Sequence, residues 1–175
     1  MKKLTTVLCL VMMTSVFVAG TAAKSRVSPA ASFAQDQRTF THKEAGVEFT
    51  LPKGWTAKPD GEVITASSAD DAVQMVFWVP EADTFDAAVK ELDKELGKTV
   101  KNTKITSKGK QDIHNGMPHY GESGTGEVEG VTIVWSVDVL ASKKPVLILT
   151  FAAPQLLEKH ADDLVKLIQS IKKIE

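Results

Sequence analysis

The residue types best suited to chemistry lie together in one glycine-rich stretch, QDIHNGMPHYGESGTGEVEG, which runs from Gln111 to Gly130. It contains Asp112, His114 and His119, whose side chains are common ligands of zinc and copper. It also contains Ser123 between glycines, as in the turns that present a nucleophilic serine. The stretch therefore raises two hypotheses, a metal site and a serine hydrolase. Each depends on the elements that would hold these side chains.

The dipeptide Asn115-Gly116 favours a two-residue β-hairpin. Such a turn would place Asp112 opposite His119, and alternation along the strands would put Asp112, His114 and His119 on one face. Opposed side chains in a hairpin have Cβ atoms about 5 Å apart, close enough to share a zinc or copper ion. The simpler interpretation is that these residues form the solvent-exposed face of an antiparallel hairpin. The metal site at Asp112, His114 and His119 is the alternative.

Ser123 lies in the sequence GESGT, which departs from the Gly-x-Ser-x-Gly nucleophile motif at its last residue, Thr125. That motif also needs a strand-to-helix turn, whereas the pattern after Gly130 predicts another strand. A hydrolase is therefore the least favoured hypothesis, and the sequence predicts neither a catalytic residue nor a cofactor. The glycines have a structural explanation, because a strand without side chains allows a neighbouring backbone to approach closely.

Residues 1–23 have the pattern of a secretory signal peptide. Lys2 and Lys3 precede an apolar run from Leu4 to Ala19, and small residues lead to a predicted cleavage site after Ala23. The run is short for a membrane span of about 20 residues, so we predict export to a secreted or periplasmic location, without a transmembrane anchor after cleavage. Residues 24–37 are predicted to form a flexible spacer, and residues 38–175 a single domain.

Composition narrows the classes of function further. The only cysteine, Cys9, lies inside the predicted signal peptide, so the mature chain would contain neither disulfides nor cysteine-ligated metals. The formal charge of −1 would become −3 once Lys2 and Lys3 are removed with the signal peptide. Neither sign dominates. The sequence shows no basic stripe that would predict a nucleic-acid partner, and no Lys/Arg cluster that would predict binding to an anionic membrane surface.

Hydrophobic periodicity predicts several strands and two amphipathic helices. One helix is expected to begin after Thr84, a good capping residue, and to end at Gly97, and the other to begin at Pro154. Short turns between strands imply antiparallel pairing, and strands that are apolar on both faces need cover on both. The predicted fold class is α+β, a mostly antiparallel sheet of about six to eight strands with helices packed on both faces. The clearest predicted strands are Val47–Pro52, Ala72–Val79, Thr99–Thr106, Val131–Leu140 and Val146–Phe151.

Two local sequences, together with the closing amphipathic helix, resemble a known fold family. They are VEFTLPKGW, a strand ending in Leu-Pro followed by Gly-Trp, and IHNGMPHYGESGTGEVEGVTIVWSVDVLASKKPVLILTFAAP. The segment from Phe40 to Ile174 resembles the PsbP-like fold, a group that includes the extrinsic photosystem II subunit PsbP and small exported bacterial proteins akin to DcrB. The resemblance implies an antiparallel sheet between helices and an accessory or adaptor role exerted through surfaces. It implies no shared catalytic residues.

Four other residues stand out in the sequence. His160 is expected to be a partly buried packing residue of the last helix, Trp55 a core residue, and His42 an isolated histidine. Asp138 interrupts an apolar strand pattern, where a buried carboxylate would need a partner, and we expect it at a strand end or a sheet edge.

Together these features predict an exported, non-catalytic binding or accessory protein of the cell envelope, whose partner is a protein or another envelope component. The alternative is a protein that binds a metal ion or small ligand through Asp112, His114 and His119. An uncharacterised hydrolase is the third and weakest hypothesis.

Overall fold

The computed structural model describes residues 38–174, so the predicted signal peptide (residues 1–23) and spacer (residues 24–37) lie outside the described residues. In chain order, the described elements are β1 (Arg38–His42), β2 (Val47–Leu51), β3 (Thr56–Asp60), β4 (Val63–Ser67), β5 (Val73–Trp78), α1 (Phe85–Thr99), β6 (Lys101–Ser107), β7 (Gln111–His114), β8 (Met117–Val128), β9 (Val131–Ala141), β10 (Pro145–Ala152), α2 (Pro154–Ser170) and β11 (Lys172–Lys173).

The described strands form two sheets in which neighbouring strands run antiparallel. The larger sheet has the order β3-β4-β5-β10-β9-β8-β6, and β7 also pairs with β8. The smaller sheet has the order β1-β2-β11. The predicted α+β class, the antiparallel pairing and a sheet of about eight strands are confirmed, whereas the second, three-stranded sheet was not predicted. The pattern missed β3 because its sequence, TAKPD, is polar and contains Pro59, and it missed β11 because two lysines carry no periodicity.

Helix α1 begins where the sequence predicts, because the Thr84 hydroxyl accepts a hydrogen bond from the backbone N–H of Ala87 at 3.2 Å. The predicted end at Gly97 is wrong. Gly97 is exposed, and a Cβ atom added there would meet no atom within 4 Å. The helix continues to Thr99, and the Val100 N–H closes the last turn on the Leu96 carbonyl. A glycine therefore interrupts neither the backbone hydrogen bonds nor the packing of this helix.

Helix α2 begins at Pro154 as predicted, where a missing N–H leaves no helical hydrogen bond unmade. Its buried residues are His160, Leu164 and Leu167, which lie along one side of the helix. Within residues 38–174, neither helix is long and apolar enough to cross a membrane.

A hydrophobic core joins α2 to both sheets. It includes Leu164 and Leu167 of α2, Phe49 of the smaller sheet, and Phe77 and Ile148 of the larger one. The rings of Phe49 and Phe77 stack with centroids 4.0 Å apart and planes inclined by 1°. The smaller sheet is thus fixed to the larger one by aromatic packing.

Strands β5 and β10 of the larger sheet are covered on both faces, since successive residues of each are buried, as from Val146 to Leu149 in β10. The two-sided apolar pattern of this strand therefore predicted its environment correctly. That one helix covers each face stays a prediction.

Candidate functional site

The predicted Asn-Gly hairpin is present and carries the candidate site. Asn115 and Gly116 both have positive φ, 47° and 78°, as a two-residue turn of this type requires. Strands β7 and β8 pair in the predicted register, with Asp112 opposite His119 and His114 opposite Met117.

The turn is fixed to the end of helix α2. The side-chain amide of Asn115 donates to the backbone carbonyls of Gln169 at 2.9 Å and Ile171 at 2.8 Å. These carbonyls belong to the last turn of the helix and the residue after it, which lack partners within the helix. Asn115 therefore serves both as a turn residue and as a cap for the helix end.

A second two-residue turn places Asp138 beside His119. Glu129 and Gly130 have φ values of 51° and 81° and connect β8 to β9. The resulting register places Gly121 opposite Asp138 and Leu140 opposite His119. Because alternate residues share a face, Asp138 and His119 are diagonal neighbours on the same side of the sheet.

His119 lies between two carboxylates. Its Nδ1 is 2.6 Å from Asp112 Oδ1, and its Nε2 is 2.9 Å from Asp138 Oδ1. A carboxylate can only accept a hydrogen bond, so both nitrogens must carry a proton for both bonds to form, which makes the ring an imidazolium. The hydrogen bond to Asp138 is the main reason why the pKa of His119 is raised above its ordinary value of 6.5. Burial opposes this shift, and the hydrogen bond to Asp112 adds to it.

The two carboxylates differ in exposure. The side chains of His119 and Asp138 are each 21% exposed, whereas that of Asp112 is 64% exposed. Water screens the outer pair more than the inner one, so the Asp138 bond dominates. We call Asp112, His114, His119 and Asp138 the His119 cluster.

Gly121 provides the space for the inner pair. A Cβ atom at this position would lie 2.7 Å from Asp138 Oδ1 and 3.2 Å from the His119 ring. A larger residue would have to displace one of them. One of the glycines that resembled a chemical motif therefore has a packing role.

A small pocket of about 50 Å³ opens beside the cluster. It is lined by His114, His119, Asp138, Leu140, Ile148, Ile168 and Ile171. Its walls are thus polar around the His119 cluster and apolar where the residues of α2, β10 and Leu140 lie. The volume has room for one or a few water molecules.

The structure brings the three predicted metal ligands together. Besides the contact of Asp112 with His119, the ring centroids of His114 and His119 are 6.1 Å apart. However, both nitrogens of His119 already face carboxylates, so a metal ion would have to replace a proton there. No group of three or more His, Cys, Asp or Glu side chains within residues 38–174 is arranged to hold a metal ion. Metal binding at Asp112, His114 and His119 stays a prediction.

Asp138 is the member of the cluster that the sequence prediction missed. We expected it at a strand end or sheet edge, but it lies in the middle of β9, between β8 and β10. Its partner His119 makes this interior position acceptable. The signal was available in Glu129-Gly130, because a two-residue turn there fixes the register that joins the two residues.

Ser123 lies inside strand β8, opposite Ser136 of β9. The chain continues as a strand on both sides of it. A nucleophilic serine of the predicted kind needs a sharp turn into a helix, so the geometry around Ser123 does not match that motif.

His160 was expected to be partly buried, but it is buried and belongs to a polar network that the sequence did not predict. Its Nε2 lies 3.1 Å from Asp70, and its ring meets Trp55 edge-on at 6.3 Å. Asp70 also accepts hydrogen bonds from Lys159 at 2.7 Å and Ser68 at 2.8 Å. The hydrogen bond from Lys159 is the largest cause that holds the pKa of Asp70 well below its ordinary value, and the bond from Ser68 is the second. Trp55 is a core residue as predicted.

His42 was expected to be isolated, but it is buried and bonded through both ring nitrogens. The N–H of Ala45 donates to its Nδ1 at 3.3 Å. Its Nε2 must then donate to the carbonyl of Glu62 at 2.9 Å, which describes a neutral imidazole. This histidine links the first strand to the turn between β3 and β4.

Comparison with known proteins gives similarity at the level of structure. No protein-family model and no curated protein matches the sequence. The solution structure of cyanobacterial PsbP (CyanoP) from Synechocystis sp. PCC 6803 matches with a TM-score of 0.58 and 10% sequence identity, over 84% of this chain and 98% of that chain.

Two crystal structures give similar values. LpqN, described as involved in cell envelope biogenesis of Mycobacterium tuberculosis, matches with a TM-score of 0.53 and 10% identity, over 79% of this chain and 91% of that chain. A protein from Bacteroides thetaiotaomicron matches with a TM-score of 0.55 and 12% identity, over 81% of this chain and 50% of that chain. Identities this low establish the fold alone. The chain has the PsbP-like fold that its sequence motifs predicted.

Proposed function

We propose that the chain is an exported accessory protein of the cell envelope that acts by binding another macromolecule and catalyses no reaction. The pattern of the first 23 residues supports export, and the PsbP-like fold and the envelope role in the description of LpqN support the envelope assignment. In this proposal residues 1–23 are removed, residues 24–37 form a spacer, and residues 38–175 form one domain with a helix on each face of its larger sheet.

The observation that carries the proposal is that the His119 cluster leaves no ring nitrogen of His119 free to act on a substrate. A general base or acid must direct a lone pair or a proton at its substrate. Both ring nitrogens of His119 are instead bonded to Asp112 and Asp138. The adjacent pocket of about 50 Å³ is also far smaller than the roughly 300–1,000 Å³ of typical small-molecule sites. The cluster is therefore suited to joining β7, β8 and β9, and the outer surface is the better candidate for function.

The test is to express the full chain with a C-terminal tag in its own host, cross-link intact cells and identify the captured envelope components by mass spectrometry. The same tag on an unrelated exported protein is the control. We expect a reproducible partner and a mature N-terminus at Lys24. Turnover of generic ester, phosphate or peptide substrates by the purified chain, or capture no richer than the control, would contradict the proposal.

A second candidate function is metal binding at Asp112, His114 and His119. The observation in its favour is that His114 and His119 line a pocket together with the Asp138 carboxylate, and that Asp112 contacts His119. Because a metal ion would have to replace a proton on His119, binding should strengthen as pH rises.

Calorimetric titration of the purified chain with Zn²⁺ and Cu²⁺ tests this candidate. We expect binding heat that is lost in His119→Ala and reduced in Asp112→Asn. Asp162→Asn, which removes an exposed carboxylate on α2, is the matched control and should behave like the wild type. Equal heats in all four proteins, or none in any, would rule the site out.

A further inference from the structure

Strand β6 differs from every other long strand of the larger sheet in its exposure. All seven of its residues are exposed to solvent. It lies at one end of the sheet and, among the described strands, is hydrogen-bonded to β8 alone. Its outer edge therefore presents backbone N–H and C=O groups without a strand partner within residues 38–174.

The same segment carries a local excess of positive charge. Lys98, Lys101, Lys104, Lys108 and Lys110 lie within thirteen residues that contain no Asp or Glu. We call β6 with these five lysines the lysine edge. All five lysines are exposed, in a chain whose formal charge is only −1. The lysines are spaced by Thr, Asn, Ser and Gly, which is why they do not appear as a basic run in the sequence.

The neighbouring carboxylate does not neutralise this edge. Glu127 of β8 lies opposite Lys101, but it accepts a hydrogen bond from the Asn102 side chain at 2.9 Å. The ammonium group of Lys101 donates to the Gly97 carbonyl at 2.9 Å. Within the described residues, Lys104 forms no ion pair, and the same holds for the two lysines that follow β6. The charges of Lys104, Lys108 and Lys110 are therefore available to a partner.

Two glycines of β8 allow the backbone of β6 to approach closely. A Cβ atom at Gly124 would collide with the carbonyl oxygen of Lys104, and one at Gly126 would lie 3.0 Å from the carbonyl oxygen of Lys101. The strand also departs from regular pairing at two points along its length. The fold therefore fixes β6 mainly through its inner backbone and leaves its lysine side chains exposed to solvent.

We propose that the lysine edge is a docking site for an extended, acidic segment of a partner protein, which adds to the sheet beside β6. The inference rests on the proposed accessory function and specifies the chemistry of its partner. Strand addition uses the free backbone edge, and carboxylates of the added strand pair with the lysines. Two lysine edges would repel each other, so a second copy of the chain is a poor occupant.

An anionic membrane is the competing occupant, and the composition of the edge argues against it. Segments that lie on membranes combine basic residues with large apolar or aromatic side chains. Residues 98–110 contain no aromatic residue, and Ile105, 52% exposed, is their one large apolar side chain facing solvent.

The test measures binding of a fluorescent peptide of alternating Glu and Thr residues to the purified chain by anisotropy. A second peptide of the same sequence, N-methylated at every residue, keeps the charge but cannot donate backbone hydrogen bonds to β6. The test variant is Lys104→Glu/Lys108→Glu/Lys110→Glu. Its control, Lys53→Glu/Lys58→Glu/Lys166→Glu, changes the net charge equally at exposed lysines elsewhere. Flotation with phosphatidylglycerol vesicles measures membrane binding.

We expect the unmodified peptide to bind the wild type and the control, and to bind the test variant about ten- to hundred-fold more weakly. Equal binding of the N-methylated peptide would overturn strand addition, and equal binding to both variants would overturn the site. Vesicle binding without peptide binding would replace the inference with a membrane role. If the partner captured from cells binds the test variant as well as the wild type, this inference fails and the accessory function stands. If no partner is captured, the proposed function fails.

Discussion

Replacing Asp138 with Asn should lower the free energy of unfolding by about 1.5–3 kcal/mol at about pH 5, the usual contribution of a hydrogen bond to a charged group. The structure supports this range because the bond to His119 is 2.9 Å long and both side chains are only 21% exposed. The same change at Asp112, which is 64% exposed, should cost only about 0.2–1 kcal/mol despite its shorter distance of 2.6 Å.

The effect should depend on pH with a definite sign. The pKa of His119 is raised in the folded chain, so the stabilisation is fully present below the unfolded value of 6.5. It is lost as pH rises through the higher, folded pKa, because a neutral ring keeps only one N–H for two carboxylates. The cost of Asp138→Asn should therefore be largest in mild acid and shrink in alkaline solution.

Urea unfolding of the wild type, Asp138→Asn and Asp112→Asn at about pH 5 and about pH 9.5 measures these differences. A double-mutant cycle with His119→Gln isolates the pairwise contribution. The reasoning is refuted if Asp138→Asn costs the same at both pH values, or if Asp112→Asn costs more than Asp138→Asn at the lower one.

Four further changes test the packing and charge described above. Gly124→Ala should destabilise by about 1–3 kcal/mol in urea unfolding, since a Cβ there would lie 2.6 Å from the Trp135 ring. Gly97→Ala, in open space on a helix, should raise the free energy of unfolding by up to about 1 kcal/mol. A decrease in that free energy would contradict the helix assignment. Thr150→Val should raise the melting temperature, because the buried hydroxyl has no hydrogen-bond partner within the described residues. A lower melting temperature would show that the hydroxyl does have a partner. Asp70→Asn should destabilise at neutral pH, with the difference from wild type shrinking as pH falls below 3.8; a constant difference would exclude the lowered pKa of Asp70.

The sequence predicted the local geometry of the candidate site well. Asn115-Gly116 permits few alternatives, so the pairing of Asp112 with His119 followed from turn chemistry alone. The capping role of Thr84 and the start of α2 at Pro154 were predictable for the same reason, since each depends on a single backbone requirement.

What the sequence did not reveal were contacts between segments far apart in the chain. The bond between His119 and Asp138 depends on the register of β8 against β9, which the glycine-rich pattern concealed. The bond between Asp70 and His160 joins residues 90 apart in sequence, which no local pattern encodes. The separate smaller sheet was missed because its closing strand is only the two residues Lys172–Lys173.

That closing strand has a consequence for when the chain can fold during synthesis. Lys172 and Lys173 pair with Glu48 and Val47, and Ser170 accepts a hydrogen bond from the Thr50 backbone at 2.8 Å. A nascent chain that stops short of these residues lacks the third strand of a sheet whose first two emerge early. Loop closure over such a distance is slow, so folding should be a late and concerted event. A ribosome-bound chain would then remain without its final tertiary structure until α2 and β11 have both been synthesised.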